Sequence, residues 1–88
     1  MPARHTSRLR HQPWTIRAAD AGDTPTIRRL AGLDSQPELT GPVLIAEVGD
    51  EPWAAVELRS GRTVADPFRP SAQIAELARA RANLGLAA

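Results

Sequence analysis

The chain contains no cysteine, which excludes a disulfide framework and any thiolate zinc site as a supplement to its core. It contains no lysine either: all eleven of its basic residues are arginine, a compositional habit without functional meaning of its own. No stretch approaches the roughly 20 apolar residues of a membrane span. The early arginines are followed by no apolar segment of the secretory-signal kind, so a cytoplasmic protein with no membrane partner is expected. The two histidines, His5 and His11, both lie near the N-terminus, leaving only carboxylates for a metal site, and no carboxylate cluster suggests one. There is no Walker loop, no GxGxxG, no HExxH and no Cys/His knuckle. A chain of 88 residues is at most one small domain, in the size range where burial only marginally offsets chain entropy. It needs efficient packing, a partner chain, or both.

What charge there is sits unevenly. The pI near 9.0 comes from Arg4, Arg8 and Arg10, which precede Trp14 with no acid among them. The remainder has eight arginines against ten carboxylates, a balance of −2. Residues 1–13 read as a disordered basic arm, and residues 14–88 as the folded domain. Three arginines without an aromatic platform make a weak nucleic-acid tether, and the acidic remainder argues against nucleic acid as a partner.

Trp14-Thr15-Ile16-Arg17-Ala18 alternates apolar and polar, as a half-buried strand does. Asp20 offers an N-cap, with Asp23 completing an acidic capping box; Thr24 as N-cap with Pro25 at the first helical position is a rival start. Either choice gives a helix over about Ala21 to Asp34, with Ile27, Leu30, Ala31 and Leu33 inward and Arg28 and Arg29 outward. It fades near Ser35-Gln36-Pro37, and Ser35 to Pro42 form a loop.

Val43 to Arg59 reads as a hairpin around Gly49-Asp50, a two-residue type II′ turn in which Gly supplies the positive φ. In that register Glu47 faces Pro52. Leu44, Ala46, Val48, Trp53 and Ala55 then share one face, and Val43, Ile45, Ala54, Val56 and Leu58 the other. Both faces are apolar, so one helix on each is expected. Ser60-Gly61 turns the chain into a third antiparallel strand, Arg62 to Ala65. Asp66-Pro67-Phe68-Arg69-Pro70 is a stiff connector with Phe68 plugging the core. Ser71 caps a second helix over roughly Ala72 to Leu84, with Ile74, Leu77, Ala78 and Leu84 buried and Gly85 as terminator. The expected fold is α+β: a four-stranded antiparallel sheet in the order β-α-β-β-β-α.

From Thr15 to about Ala65 the chain resembles the N-terminal half of the GCN5-related N-acetyltransferase family. Thr15-Ile16-Arg17 and the helix ending Arg29-Leu30-Ala31-Gly32-Leu33-Asp34 are similar to that family's opening strand and helix. Val43-Leu44-Ile45-Ala46-Glu47-Val48, the tight turn and Glu51-Pro52-Trp53-Ala54-Ala55 are similar to its next two strands. Gly49-Asp50 replaces the usual Asp-Gly, and Ala55 stands where Gly is common. The segment Gly61 to Leu84 also resembles the end of short stand-alone relatives with the same half-fold.

In full-length members the fourth strand runs into a Gln/Arg-x-x-Gly-x-Gly/Ala loop whose backbone N–H groups bind the pyrophosphate of acetyl-CoA at a helix N-terminus. Here the corresponding segment is Asp66-Pro67-Phe68-Arg69-Pro70-Ser71, with no glycine, two prolines and a carboxylate. Arg69 and Ser71 are the candidate cofactor-binding residues that remain. The family's second half, with its fifth strand and frequent proton donor, has no counterpart. Glu47 and Glu57, the strand carboxylates within the match, fall at no position assignable to a family base, so no catalytic residue is named. The resemblance therefore implies a truncated, non-catalytic binding or assembly module without cofactor, working as a homo-oligomer or with a protein partner. Its alternative is an acetyl-CoA-dependent N-acetyltransferase acting through a composite site in a dimer or with a partner chain. A small DNA-binding regulator is a third class, disfavoured by the acidic folded part.

Overall fold

The computed structural model of the protein describes residues 13–87. The basic arm expected over residues 1–13 lies outside them, apart from Pro13. Strand β1 (Trp14–Ala18) leads through a short 3-10 turn (Ala21–Asp23) into helix α1 (Thr24–Leu33). Strands β2 (Val43–Val48), β3 (Glu51–Glu57) and β4 (Thr63–Ala65) follow, then helix α2 (Ala72–Ala87). The four strands form one antiparallel sheet in the order β1-β2-β3-β4, and the α+β class, the four-stranded antiparallel sheet and the two helices are as expected.

Both expected starts of the first helix are used, one after the other. Asp20 accepts from the Gly22 N–H at 2.8 Å, and its own N–H donates to Asp23 Oδ2 at 2.8 Å, a reciprocal cap on the 3-10 turn. The α-helix proper then begins with Pro25 in its first turn, where a missing N–H leaves no bond unmade. At the other end Gln36 N–H donates to Ala31 O (2.9 Å) and Ser35 N–H to Gly32 O (3.1 Å). That is a Schellman motif, with Ser35 at φ 53° in the position that usually holds glycine.

The sheet is covered on both sides. Ile27, Leu30 and Ala31 of α1 meet Val43, Ile45, Ala55 and Val64, with Leu39 of the following loop closing that core. Ile74, Ala75, Ala78 and Ala82 of α2 meet Leu44, Ala46, Val48, Trp53, Ala54 and Val56. The largest fully buried side chains are Leu30, Ile45, Ile74, Val56 and Val64. Burying each contributes roughly 1.5–3 kcal/mol, more than an exposed ion pair at about 0–1 kcal/mol. The two apolar layers, rather than surface charge, hold the fold.

Several expectations change in detail. Gly49 (φ 56°) and Asp50 (φ 69°) both have positive φ, so the hairpin turn is type I′ and not II′. Glu47 does face Pro52, but Ala46 faces Ala54, so Trp53 is an extra residue on β3. This bulge exchanges the faces beyond it. Ala54 and Val56 join the α2 side with Leu58 against it, and Ala55 joins the α1 side, the reverse of the expected sorting.

On α2, Leu77 and Leu84 are exposed at 41% and 68%, and the inward face is Ile74, Ala75, Ala78 and Ala82. The helix runs through Gly85 to Ala87 instead of ending there, since glycine weakens a helix without forbidding it. Phe68 is 81% exposed and plugs nothing. Trp14 is 47% exposed on β1, whose burial is slighter than its alternation implied.

Candidate functional site

The segment that decides between a cofactor site and a plain turn is Asp66 to Ser71, between β4 and α2. Asp66 is buried, and its N–H donates to Trp53 O at 2.9 Å. Its side chain folds forward to accept the Phe68 N–H at 2.8 Å, an Asx turn. Its carbonyl accepts from the Arg69 N–H at 3.3 Å and from the Ser71 hydroxyl at 2.9 Å. Ser71 N–H donates to Arg69 O at 2.7 Å. Pro67 and Pro70 have no N–H to offer. Every main-chain donor from Asp66 to Ser71 is thus missing or already engaged, whereas a phosphate cradle needs several of them pointing outward together.

The two candidate residues do not converge. Ser71 stands immediately before α2 and its carbonyl accepts the Ala75 N–H at 2.9 Å. Its buried hydroxyl turns back to Asp66 and caps no helical N–H. The Arg69 guanidinium extends over Trp53, 6.0 Å from the ring centroid, and pairs with Glu51. The Trp53 indole N–H also reaches Glu51, at 3.3 Å. Arg69, Trp53 and Glu51 therefore form a partly exposed cluster at the β3 bulge, which alone accounts for the arginine's position.

The strand carboxylates are equally occupied. Glu57 is buried at the end of β3 and accepts from Thr40 N–H at 2.8 Å, from Thr40 Oγ1 at 3.4 Å, from the Ser60 hydroxyl and from Arg62 Nη2 at 3.3 Å. The Ser60 hydroxyl first, then the Thr40 amide and Arg62, hold its carboxyl below the ordinary value, outweighing burial. Arg62 also donates to Pro37 O (2.9 Å) and Glu38 O (2.8 Å). The Glu57–Arg62 pair is a clamp fastening the loop between α1 and β2 onto the sheet.

Glu47 serves a second clamp. Arg17 donates to Asp23 Oδ1 (2.8 Å) and Oδ2 (2.9 Å) and to Glu47 at 3.3 Å. The Arg17 guanidinium, with the Asp20 amide behind it, holds the Asp23 carboxyl well below the usual carboxylate range, and the two carboxylates raise Arg17 in turn. A carboxylate so stabilised as an anion is a poor proton acceptor at neutral pH. Among the described residues no buried side-chain nitrogen or oxygen lacks a hydrogen-bond partner.

A cleft of about 350 Å³ lies on the α1 side, lined by Ile27, Leu39 and Val43 together with the exposed Asp20, Thr24 and Glu38. It includes no residue of Asp66–Ser71. It sits where Val43 pairs with Glu57 at the end of β3, whereas the connector leaves the sheet beyond the Ala54–Ala65 pair in the middle of that strand.

Sequence reading singled out neither Arg17 nor Arg62, because their partners are distant along the chain. The visible signal was an arginine in the middle of an otherwise half-apolar strand. Comparison with protein-family models, with curated proteins and with solved structures finds no match. Among the described residues no helix is long and apolar enough to cross a membrane.

Proposed function

We propose that this chain is a non-catalytic binding or assembly module built on a half-fold similar to the N-terminal half of the GCN5-related N-acetyltransferases. The single observation that carries the reading is the connector, whose main-chain donors are absent or satisfied from Asp66 to Ser71. The saturated carboxylates support it, since amine acetylation needs a base as well as a positioned thioester. Among the described residues the connector offers no donor set for an anion and the strand carboxylates are held by hydrogen bonds and ion pairs, which favours action through the surface. Native mass spectrometry of the purified chain tests this by reporting assembly state and bound CoA together. The module reading expects protein-only species, and a CoA adduct contradicts it.

One observation favours the composite-site alternative. Arg69 is 43% exposed in its side chain, and Glu51, the carboxylate it pairs with, is 46% exposed. Such a pair is worth about 0–1 kcal/mol, so a phosphate supplied with further contacts from another chain can compete for the guanidinium. Acetyl-CoA is the ligand under that alternative only.

A further inference from the structure

The sheet has two edges, and they differ. On β4, Glu57 N–H donates to Arg62 O and Asp66 N–H to Trp53 O. By alternation Thr63 and Ala65 turn their main-chain groups outward. The outward Ala65 N–H is taken by Asp34 Oδ2 at 3.2 Å, and the strand is three residues long. A short strand with a carboxylate across its edge is a poor template for another strand.

On β1, Ala19 N–H donates to Val43 O and Gly49 N–H to Pro13 O, both at 2.8 Å. With the Ile16–Ala46 register, Thr15 and Arg17 face β2, while Trp14, Ile16 and Ala18 present their main-chain groups to the far side. Among the described residues the one contact to these groups is Arg17 Nη1 to Ala18 O at 3.4 Å, and no strand lies beyond β1.

We propose that a second copy of this chain adds to β1 as an antiparallel strand, with the two-fold axis at Ile16, making the two four-stranded sheets continuous. The inference rests on the module reading above and names its partner. At that axis Ile16 faces its own copy and Trp14 faces the partner's Ala18. Each of these pairs exchanges two N–H···O=C bonds. All three side chains lie on the α2 side, the side of Ala46 and Val48. The exposed indole therefore meets an alanine small enough to leave it room, and it covers the part of β1 that α2 does not. On the other side Thr15 faces the partner's Arg17. That arginine is already matched by Asp23 and Glu47, so no like charges oppose one another. The same strand supplies both the large residue and the small one, which selects a second copy over an unrelated strand. A strand pair with one aromatic anchor per chain is a small interface, in the range of weak and transient contacts.

Sedimentation equilibrium of the full chain from about 1 to about 200 μM tests the inference, with far-UV circular dichroism confirming folding of each variant. The expected result is a mass rising with concentration from 9.5 kDa towards its double. Ala18→Pro removes an outward N–H without touching a bond to β2, and Trp14→Arg places two charges at the junction. Each should weaken association at least about tenfold, the equivalent of about 1.4 kcal/mol. Leu84→Arg on the outer face of α2 should leave association unchanged. A mass of 9.5 kDa at every concentration overturns the inference. So does a dimer that survives both β1 variants, one dissolved by Leu84→Arg, or a β1 edge occupied by a different protein. Titration with acetyl-CoA decides the module reading separately, so failure of the dimer and failure of the module are distinguishable.

Discussion

The backbone N–H of Ala65, on the outer edge of β4, donates to the side chain of Asp34 at the end of α1, 3.2 Å away. One carboxylate thereby takes an outward main-chain donor of this edge strand. The sheet ends here by a specific contact as well as by the change from strand to proline-rich connector.

Asp34→Ala should reopen that edge. Losing one hydrogen bond to a charged acceptor costs about 1.5–3 kcal/mol. Relief of a negative charge at a helix C-terminus returns about 0.3–1 kcal/mol. A net destabilisation of about 1–2 kcal/mol is expected in urea unfolding, with Asp34→Asn losing less because it keeps an acceptor.

Glu57→Ala should be among the most disruptive single changes to a polar residue. It strips the partner from the Thr40 amide, the Ser60 hydroxyl and Arg62 at once. A loss of about 2–4 kcal/mol is expected by chemical denaturation, together with faster amide exchange in the loop from Ser35 to Pro42.

Stability should decline in acid in a defined way. The folded-state values of Asp23 and Glu57 both lie below their ordinary 3.8 and 4.5. Their contribution is complete above those ordinary values and fades as pH falls through the folded-state ones. Unfolding midpoints should therefore hold steady from pH 7 to about pH 5 and drop below about pH 4. Arg17→Ala removes the principal cause at Asp23, so the variant should start less stable and lose less between pH 5 and pH 2.

The exchange of faces on α2 makes a paired forecast. Ile74→Ala, in the buried layer, should cost about 2–4 kcal/mol. Leu84→Ala, on the outer surface, should stay within about 0.5 kcal/mol of the parent. Thermal unfolding of the two variants side by side checks it.

Ser35→Gly should stabilise. Ser35 holds φ 53° at the Schellman position, where a side chain costs roughly 1–2 kcal/mol. Part of that is offset by the greater freedom glycine has when unfolded. A gain of about 0.5–1 kcal/mol in urea unfolding is expected.

The parts of the fold legible in the sequence were those marked by residues with special backbone or periodic requirements. Gly49-Asp50 between two apolar runs placed the hairpin, and Asp20, Asp23 and Pro25 placed the start of α1. Apolar residues on both parities of β2 announced two covered faces. A classic bulge needs no special residue, so nothing marked Trp53 as the extra one, and the parity of β3 came out reversed beyond it. On α2, alanine occurs on every side, and the two conspicuous leucines lie outside while three alanines lie inside. The site followed the same division. The missing glycine loop could be read directly, but the Asx turn at Asp66 and the clamps through Arg17 and Arg62 depend on partners that only the folded chain brings near.

The connector from Asp66 to Ser71 should hold no cofactor. Calorimetric titration of the full chain with acetyl-CoA tests it most directly, run at protein concentrations on both sides of any dimerisation midpoint. The expected result is no saturable heat at ligand concentrations up to about 1 mM, which corresponds to a binding free energy weaker than about −4 kcal/mol. Saturable micromolar binding that disappears in Arg69→Ala would contradict the claim and establish the composite acetyl-CoA site in its place.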